Sequence, residues 1–152
     1  MKILIIGCGR VGSRLAQRLE RGGHAVVVVD EDREAFARLG GDFRGATFQG
    51  SGLDSPTLQR AGIAGVEALV AVTGGDNRNL MISQLAKHEF GTKRAIARLK
   101  DPIRAAKYRE IGVETLCVTT VVEGLLELWA QNGDFPALPG EMSVSGDASA
   151  LD

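Results

Sequence analysis

The sequence contains few cysteines, few aromatic residues and no long apolar run. Its 152 residues include two cysteines, Cys8 and Cys117, whose spacing gives neither a disulfide framework nor a metal-ligand pattern. Two cysteines of this kind fit a reducing compartment, so we expect a cytoplasmic protein. No apolar stretch approaches the length of a membrane span, and the four apolar residues after Lys2 are too few for a signal-peptide core. Any association with a membrane is therefore expected to depend on a partner.

An excess of charge of one sign is also missing. The net charge of −1 creates no field that would attract nucleic acid or an anionic surface, so we expect no nucleic-acid partner. The hydrophobic and charged fractions, 44% and 24%, are those of an ordinary globular protein of one domain. We place that domain at residues 1–131. Residues 132–152 contain four acidic residues, no Lys or Arg, and several Pro and Gly residues, which is typical of a tail or linker.

Strand-like and helix-like patterns alternate along the chain, which is typical of a parallel sheet covered by helices. The apolar, β-branched segments predict strands near residues 2–6, 25–29, 46–49, 67–72, 94–98 and 114–118. The remaining periodic segments predict helices near residues 10–22, 32–39, 55–62, 76–90, 102–111 and 120–131. The sequence therefore predicts an α/β fold, a Rossmann-like doubly wound parallel sheet of about six strands with helices on both faces.

A glycine motif follows the first predicted strand directly. Gly7, Gly9 and Gly12 form the pattern G-x-G-x-x-G between an apolar strand and a helix. In such a turn the first glycine permits a sharp bend, the second lets the backbone approach a pyrophosphate, and the third lets the helix pack close to the sheet. The N–H groups at the helix start attract the anion. The context, more than the glycines alone, favours nucleotide binding.

An acidic residue ends the second predicted strand. Asp30 lies 23 residues after Gly7, about where a carboxylate meets the ribose hydroxyls of a dinucleotide. The same carboxylate would repel a 2′-phosphate. The sequence therefore favours NAD, ATP or ADP over NADP as the ligand.

The carboxyl ends of the predicted strands supply further polar residues. Ligands of open α/β sheets bind outside these ends, so residues from five strands are expected to converge there. Arg10 and Arg98 offer positive charge to phosphates. The candidate cofactor-binding residues are Gly7, Gly9, Arg10, Val11, Gly12, Asp30, Glu31, Gly50, Ser51, Gly52, Thr73, Gly74 and Arg98. We assign no catalytic and no metal-binding residue.

Several of these residues also have structural interpretations. Asp30 and Asp76 could each cap the helix that follows, Arg98 could be a solvated charge, and Ser51-Gly52 could be a simple loop. Cys8 has no evident base nearby to activate it, and we interpret it as a small residue that fits the turn.

Longer motifs resemble one family. They are Gly7-Cys8-Gly9-Arg10-Val11-Gly12, Val28-Val29-Asp30, Gly50-Ser51-Gly52-Leu53-Asp54, Val72-Thr73-Gly74-Gly75-Asp76-Asn77-Arg78-Asn79-Leu80, and Ala97-Arg98 before Asp101-Pro102. From Met1 to about Trp129 the chain resembles the N-terminal domain of RCK (regulator of K⁺ conductance) proteins of the TrkA/KtrA type. The segment from 50 to 80 distinguishes this family from dehydrogenases.

The resemblance implies a non-catalytic regulatory subunit that binds NAD(H), ATP or ADP and gates a membrane K⁺ pore from its cytoplasmic face. It also implies a homodimer that can assemble into an octameric ring. It assigns nucleotide contacts to Arg10, Asp30, Ser51, Thr73 and Arg98. Many members have Asp where this chain has Ser51. Some have Pro-Glu where this chain has Thr119-Thr120, and that glutamate helps to bind a divalent ion, so a metal is doubtful here. The family's usual second lobe is not recognisable after Gln131.

The last predicted helix carries an apolar stripe. Val122, Leu125, Leu126 and Trp129 lie on one side of it, which fits either pairing with a second copy or packing in the core of one chain. The main alternative function is the cofactor-binding lobe of an NAD-dependent dehydrogenase. Hydride transfer would require a substrate site with a positioned acid or base, and the sequence offers none.

Overall fold

The computed structural model describes residues 1–135. Its contacts divide the chain into two units, one of residues 1–118 and a second that begins at Thr119. Most of the predicted acidic tail, residues 136–152, lies outside the described residues. The boundary predicted at residue 131 stays a prediction.

The first unit contains a single sheet of six parallel strands in the order β3-β2-β1-β4-β5-β6. The strands are β1 (Lys2–Ile6), β2 (Ala25–Asp30), β3 (Ala46–Gln49), β4 (Ala68–Ala71), β5 (Arg94–Leu99) and β6 (Thr115–Cys117). The predicted doubly wound α/β fold is confirmed. The order reverses between β1 and β4, and this reversal is where open α/β sheets bind their ligands.

Five α-helices connect and follow these strands. They are α1 (Arg10–Arg21), α2 (Ser55–Arg60), α3 (Asp76–His88), α4 (Pro102–Glu110) and α5 (Val118–Asn132). The segment Arg33–Leu39, predicted as a helix, is a 3₁₀ helix. Asp32 caps it by accepting a hydrogen bond from the N–H of Glu34 at 2.9 Å. Asp30 is therefore not the cap of this helix.

Alternate residues of β1 pack on opposite faces of the sheet. Ile3 and Ile5 belong to a cluster covered by α1 and the 3₁₀ helix, whereas Leu4 and Ile6 belong to one covered by α2 and α3. All four side chains are at most 4% exposed. Burial on both faces explains why the strands are nearly continuous apolar runs, and it fixes their carboxyl ends relative to one another.

The helix α5 exposes most of its apolar side chains. Val121, Val122, Leu126 and Trp129 are 46%, 52%, 55% and 51% exposed, and no residue of α5 is buried. No helix within residues 1–135 combines the length and hydropathy that a membrane span requires.

Candidate functional site

A cleft of about 370 Å³ opens at the carboxyl edge of the sheet, around the ends of β1, β2 and β4. This volume lies within the range of small-molecule sites. The cleft is lined by Ile6, Gly7, Gly9, Arg10, Val11, Val29, Asp30, Glu31, Gly50, Gly52, Val72, Thr73, Gly74, Arg78 and Arg98. All of the predicted site residues line it except Gly12 and Ser51.

The glycines of the turn have different structural roles. Gly7 has a φ of +108°, and a Cβ there would lie 2.9 Å from the backbone nitrogen of Thr73. A Cβ on Gly12 would collide with the carbonyl oxygen of Gly7, so Gly12 allows α1 to pack against the turn. A Cβ on Gly9, in contrast, would meet no protein atom within 4 Å and would project into open space. Of the three, Gly9 is the position where a missing side chain leaves room for a ligand.

The carboxylate of Asp30 connects the end of β2 to the glycine turn. One carboxylate oxygen accepts a hydrogen bond from the N–H of Cys8, and the other accepts one from the N–H of Asp32 at 2.9 Å. These bonds hold the carboxylate at the wall of the cleft beside the turn. A carboxylate in this fixed position can accept further hydrogen bonds from ribose hydroxyls, since each of its oxygens has two lone pairs.

The thiol of Cys8 is fully buried in the same turn and donates a hydrogen bond to the carbonyl oxygen of Ala35 at 3.4 Å. Burial, with a smaller contribution from the negative charge of Asp30, raises the pKa of Cys8 to about 11. The thiol therefore stays protonated near neutral pH and is not an activated nucleophile.

The loop after β3 places only its glycines at the cleft. Gly50 and Gly52 line it, whereas the hydroxyl of Ser51 accepts a hydrogen bond from the N–H of Leu53 at 3.3 Å. The carbonyl oxygen of Ser51 accepts one from the N–H of Asp54 at 3.1 Å. Ser51 thus stabilises the turn, as in the loop interpretation, and its nucleotide contact stays a prediction.

A buried asparagine organises the opposite side of the cleft. The side chain of Asn79, in α3, is 1% exposed. It accepts hydrogen bonds from the N–H and hydroxyl of Thr73 at 2.8 and 2.6 Å, and donates to the carbonyl oxygen of Arg98 at 2.8 Å. This network fixes the loop after β4 against the end of β5. Asn79 was not among the predicted site residues; a polar residue on the apolar face of a predicted helix was the available signal.

Arg98 is held in place on the same side. Its guanidinium donates to the carbonyl oxygen of Thr73 at 3.0 Å, and its Nε is buried without a hydrogen-bond partner among the described residues. The interpretation of Arg98 as a solvated charge is therefore wrong.

The interpretation of Asp76 as a helix cap is also wrong. The helix α3 begins at Asp76, with Gly75 in the capping position. The Asp76 carboxylate instead accepts hydrogen bonds from the N–H groups of Lys100 and Asp101 at 2.9 and 3.1 Å. It joins the start of α3 to the turn between β5 and α4.

Three arginines, Arg10, Arg78 and Arg98, and two acidic residues, Asp30 and Glu31, line the cleft. This distribution suits a ligand that carries both phosphate and ribose groups. Arg78 was not among the predicted site residues. Within the part of the chain that the structure describes, no group of three or more His, Cys, Asp or Glu side chains could hold a metal ion.

The family model for the TrkA-N domain matches residues 3–119. The chain belongs to the TrkA-N domain family. It is 47% identical over 116 residues to the Trk system potassium uptake protein TrkA of Streptomyces coelicolor, an alignment that covers 76% of this chain and 52% of that protein. This TrkA-N chain thus spans about half the length of that protein and of the TrkA homologue of Pyrococcus abyssi.

Solved structures share the fold of this TrkA-N domain. The Kef C-terminal domain of Shewanella denitrificans, in its AMP-bound form, has a TM-score of 0.71 at 22% identity and covers 88% of this chain and 83% of its own. GsuK bound to ADP has a TM-score of 0.72 at 20% identity, with 88% of this chain and 34% of that chain covered. The GsuK channel bound to NAD has a TM-score of 0.67 at 23% identity, and the match covers 80% of this chain and 22% of that chain.

Proposed function

We propose that this TrkA-N domain binds an adenine nucleotide in the cleft, with NAD(H), ATP and ADP as the candidate ligands. The observation that carries the proposal is the fixed carboxylate of Asp30 beside the open backbone of Gly9. A ribose bonded to the first would bring its phosphates to the second, next to the start of α1. The AMP, ADP and NAD named for the neighbouring structures belong to the same ligand class.

The bound nucleotide acts as a regulatory signal in potassium uptake. The Streptomyces coelicolor relative is named as a potassium uptake protein of the Trk system, and the shared region is the TrkA-N domain. The partner is a membrane-embedded K⁺ transporter or channel subunit, and the domain works at the cytoplasmic face of the membrane. A nucleotide regulates such an assembly by binding one subunit arrangement more tightly than another.

The domain functions as a homodimer, which can assemble further into an octameric ring. The apolar surface of α5 supports pairing, because Val122, Leu126 and Trp129 are each about half exposed. A contiguous exposed apolar surface of this kind is typical of an interaction site. Residues 1–131 form the nucleotide-binding domain in this proposal.

The domain binds the nucleotide but does not catalyse a reaction of it. Among the described residues, the lining of the cleft includes no His, Lys or Cys that could act as an acid–base partner for hydride transfer. The glycine turn also lacks the Gly-Lys-Ser/Thr sequence that organises Mg²⁺ for phosphoryl transfer. Only the glycine turn and Asp30 favour the alternative function as the cofactor-binding lobe of a dehydrogenase.

The test is calorimetric titration with AMP, ADP, ATP, NAD, NADH and NADPH, followed by turnover assays with every ligand that binds. We expect saturable binding of adenine nucleotides, weaker binding of NADPH because Asp30 repels its 2′-phosphate, and neither hydride transfer nor ATP hydrolysis. Failure of all six ligands to bind would overturn the proposal. Oxidation of NADH with a defined substrate, abolished by Asp30→Ala, would establish the dehydrogenase instead.

A further inference from the structure

An ion pair spans the cleft in front of β1. The guanidinium of Arg78 lies 3.2 Å from the carboxylate of Glu31. Glu31 directly follows β2, and Arg78 lies in the first turn of α3, after β4. Because β2 and β4 flank β1 in the sheet, this pair joins the two sides of the cleft across the strand that leads into the glycine turn.

The ion pair is weak enough to exchange partners. The side chains of Arg78 and Glu31 are 47% and 52% exposed, so solvent screens their attraction. Ion pairs as exposed as this one contribute little to stability. A phosphate carries at least as much negative charge as a carboxylate and accepts the same bidentate hydrogen bonds from a guanidinium.

The other two arginines of the cleft have different surroundings. Arg98 already donates to the carbonyl oxygen of Thr73, and its Nε is buried. Arg10 is exposed at the start of α1. Arg78 differs from both, because it is paired with Glu31, an acidic residue that also lines the cleft.

We infer that Arg78 is a phosphate-binding residue of the cleft and that Glu31 holds it in position while the cleft is empty. A nucleotide phosphate and the Glu31 carboxylate then compete for one guanidinium. Arg78 thereby determines specificity for the number of phosphates on the ligand. This inference rests on the nucleotide-binding function proposed above and extends it to a residue that the sequence analysis did not select.

The test compares adenosine, AMP and ADP as ligands of the wild-type chain and of the variants Arg78→Ala, Arg78→Lys and Glu31→Gln, by calorimetry at low salt. We expect Arg78→Ala to weaken ADP binding roughly tenfold, the loss of one charge-assisted contact, and to change adenosine binding less than twofold. Arg78→Lys should retain part of the ADP affinity, because it keeps the charge but not the bidentate geometry. Glu31→Gln should strengthen ADP binding severalfold, and it should have little effect once Arg78 is alanine.

Arg104→Ala is the matched control. Arg104 donates a hydrogen bond to Asn77, the neighbour of Arg78, and does not line the cleft. Its removal changes the local charge by the same amount as Arg78→Ala and should leave the affinity for ADP within twofold of that of the wild type.

The outcomes separate this inference from the proposed function. Wild-type binding of ADP that is unaffected by Arg78→Ala overturns the role of Arg78 and leaves the proposed function standing. Equal losses for adenosine and ADP would show that Arg78 acts through the fold rather than on phosphate, which also overturns it. A wild-type chain that binds no adenine nucleotide overturns both. Circular dichroism confirms that each variant is folded.

Discussion

Asp30 bonds to the backbone N–H of Cys8, so the carboxylate proposed to bind ribose also holds the glycine turn proposed to bind phosphate. The two halves of the candidate site are thus connected before a ligand is present. Preorganisation of this kind reduces the cost of ordering the site on binding. Alterations at Asp30 should therefore affect both ligand affinity and the local stability of the turn.

Replacing Asp30 with alanine should weaken adenine-nucleotide binding at least tenfold while the chain remains folded. The lost charge-assisted hydrogen bonds to the ribose hydroxyls are worth about 1.5–3 kcal/mol. Calorimetry with ADP and NAD measures the effect, and circular dichroism monitors the fold.

The matched control for this change is Asp32→Ala. Asp32 caps the 3₁₀ helix two residues further on and does not line the cleft. Its loss should lower the free energy of unfolding by about 1 kcal/mol and leave affinity unchanged. Equal affinities of wild type and Asp30→Ala would restrict Asp30 to its role in the turn.

Gly9 and Gly12 should respond in opposite ways to substitution by alanine. Gly9 has a φ of −73°, which alanine adopts without strain, and its Cβ would point into open space. Gly9→Ala should fold like wild type but lose about tenfold or more in nucleotide affinity, because the methyl group occupies the path of the phosphates. Gly12→Ala should lower the free energy of unfolding by roughly 1–3 kcal/mol or more, because its Cβ collides with Gly7.

Urea denaturation and calorimetry on both variants measure these two effects. A Gly9→Ala variant that is folded and binds with wild-type affinity would show that the phosphates do not approach the turn.

Asn79→Ala should lower the free energy of unfolding by about 3 kcal/mol. The change removes the partner of the Thr73 N–H and of the Arg98 carbonyl oxygen in a buried network, and each unsatisfied buried group costs about 1–3 kcal/mol. Asn77→Ala, two residues earlier on the exposed side of α3, should change the free energy of unfolding by less than about 0.5 kcal/mol. Urea midpoints of the two variants test the difference, and equal midpoints would contradict it.

The thiol of Cys8 should be nearly inert in the folded chain. Raising its pKa from 9.0 to about 11 lowers the thiolate fraction near pH 8 roughly a hundredfold, and burial restricts access further. With Cys117 replaced by alanine, modification by a thiol reagent at pH 8 should be at least a hundredfold slower than in urea. Modification at the rate of a free thiol would contradict the buried placement of Cys8.

The same pKa shift has a consequence for stability. The folded chain holds the Cys8 thiol proton more tightly than the unfolded chain. The resulting contribution to the free energy of unfolding is fully present below about pH 9 and is lost as the pH rises toward 11. Between these values, the free energy of unfolding of the wild type should fall more steeply than that of Cys8→Ala.

The strands and most of the cleft were predictable from sequence because both follow from local patterns. Apolar β-branched runs identify strands that are buried on both faces, and residues directly after such strands must lie at one edge of a parallel sheet. Asp30 and Thr73 were found by this rule, and both line the cleft.

Residues whose roles could not be predicted correctly from sequence depend on contacts between distant segments. Arg78 reaches the cleft because α3 brings it next to Glu31, 47 positions earlier in the chain. Asp76 resembles a helix cap in sequence, but the turn that contains Lys100 and Asp101 lies within hydrogen-bond distance of its carboxylate. No sequence spacing encodes these distances, since they depend on the order of the strands.

A charge placed on the apolar surface of α5 should break the proposed homodimer. Leu126 is 55% exposed, and burying it against a second copy would be favourable, whereas an aspartate at that position would be desolvated without a partner. Static light scattering should show a dimer or larger assembly of the wild type at tens of micromolar and a shift toward monomer for Leu126→Asp.

Gln131→Asp places the same charge on a polar position of α5 and should leave the mass unchanged. A wild-type chain that is monomeric at this concentration would contradict pairing through α5. A Leu126→Asp variant that retains the wild-type mass would place the contact on another surface.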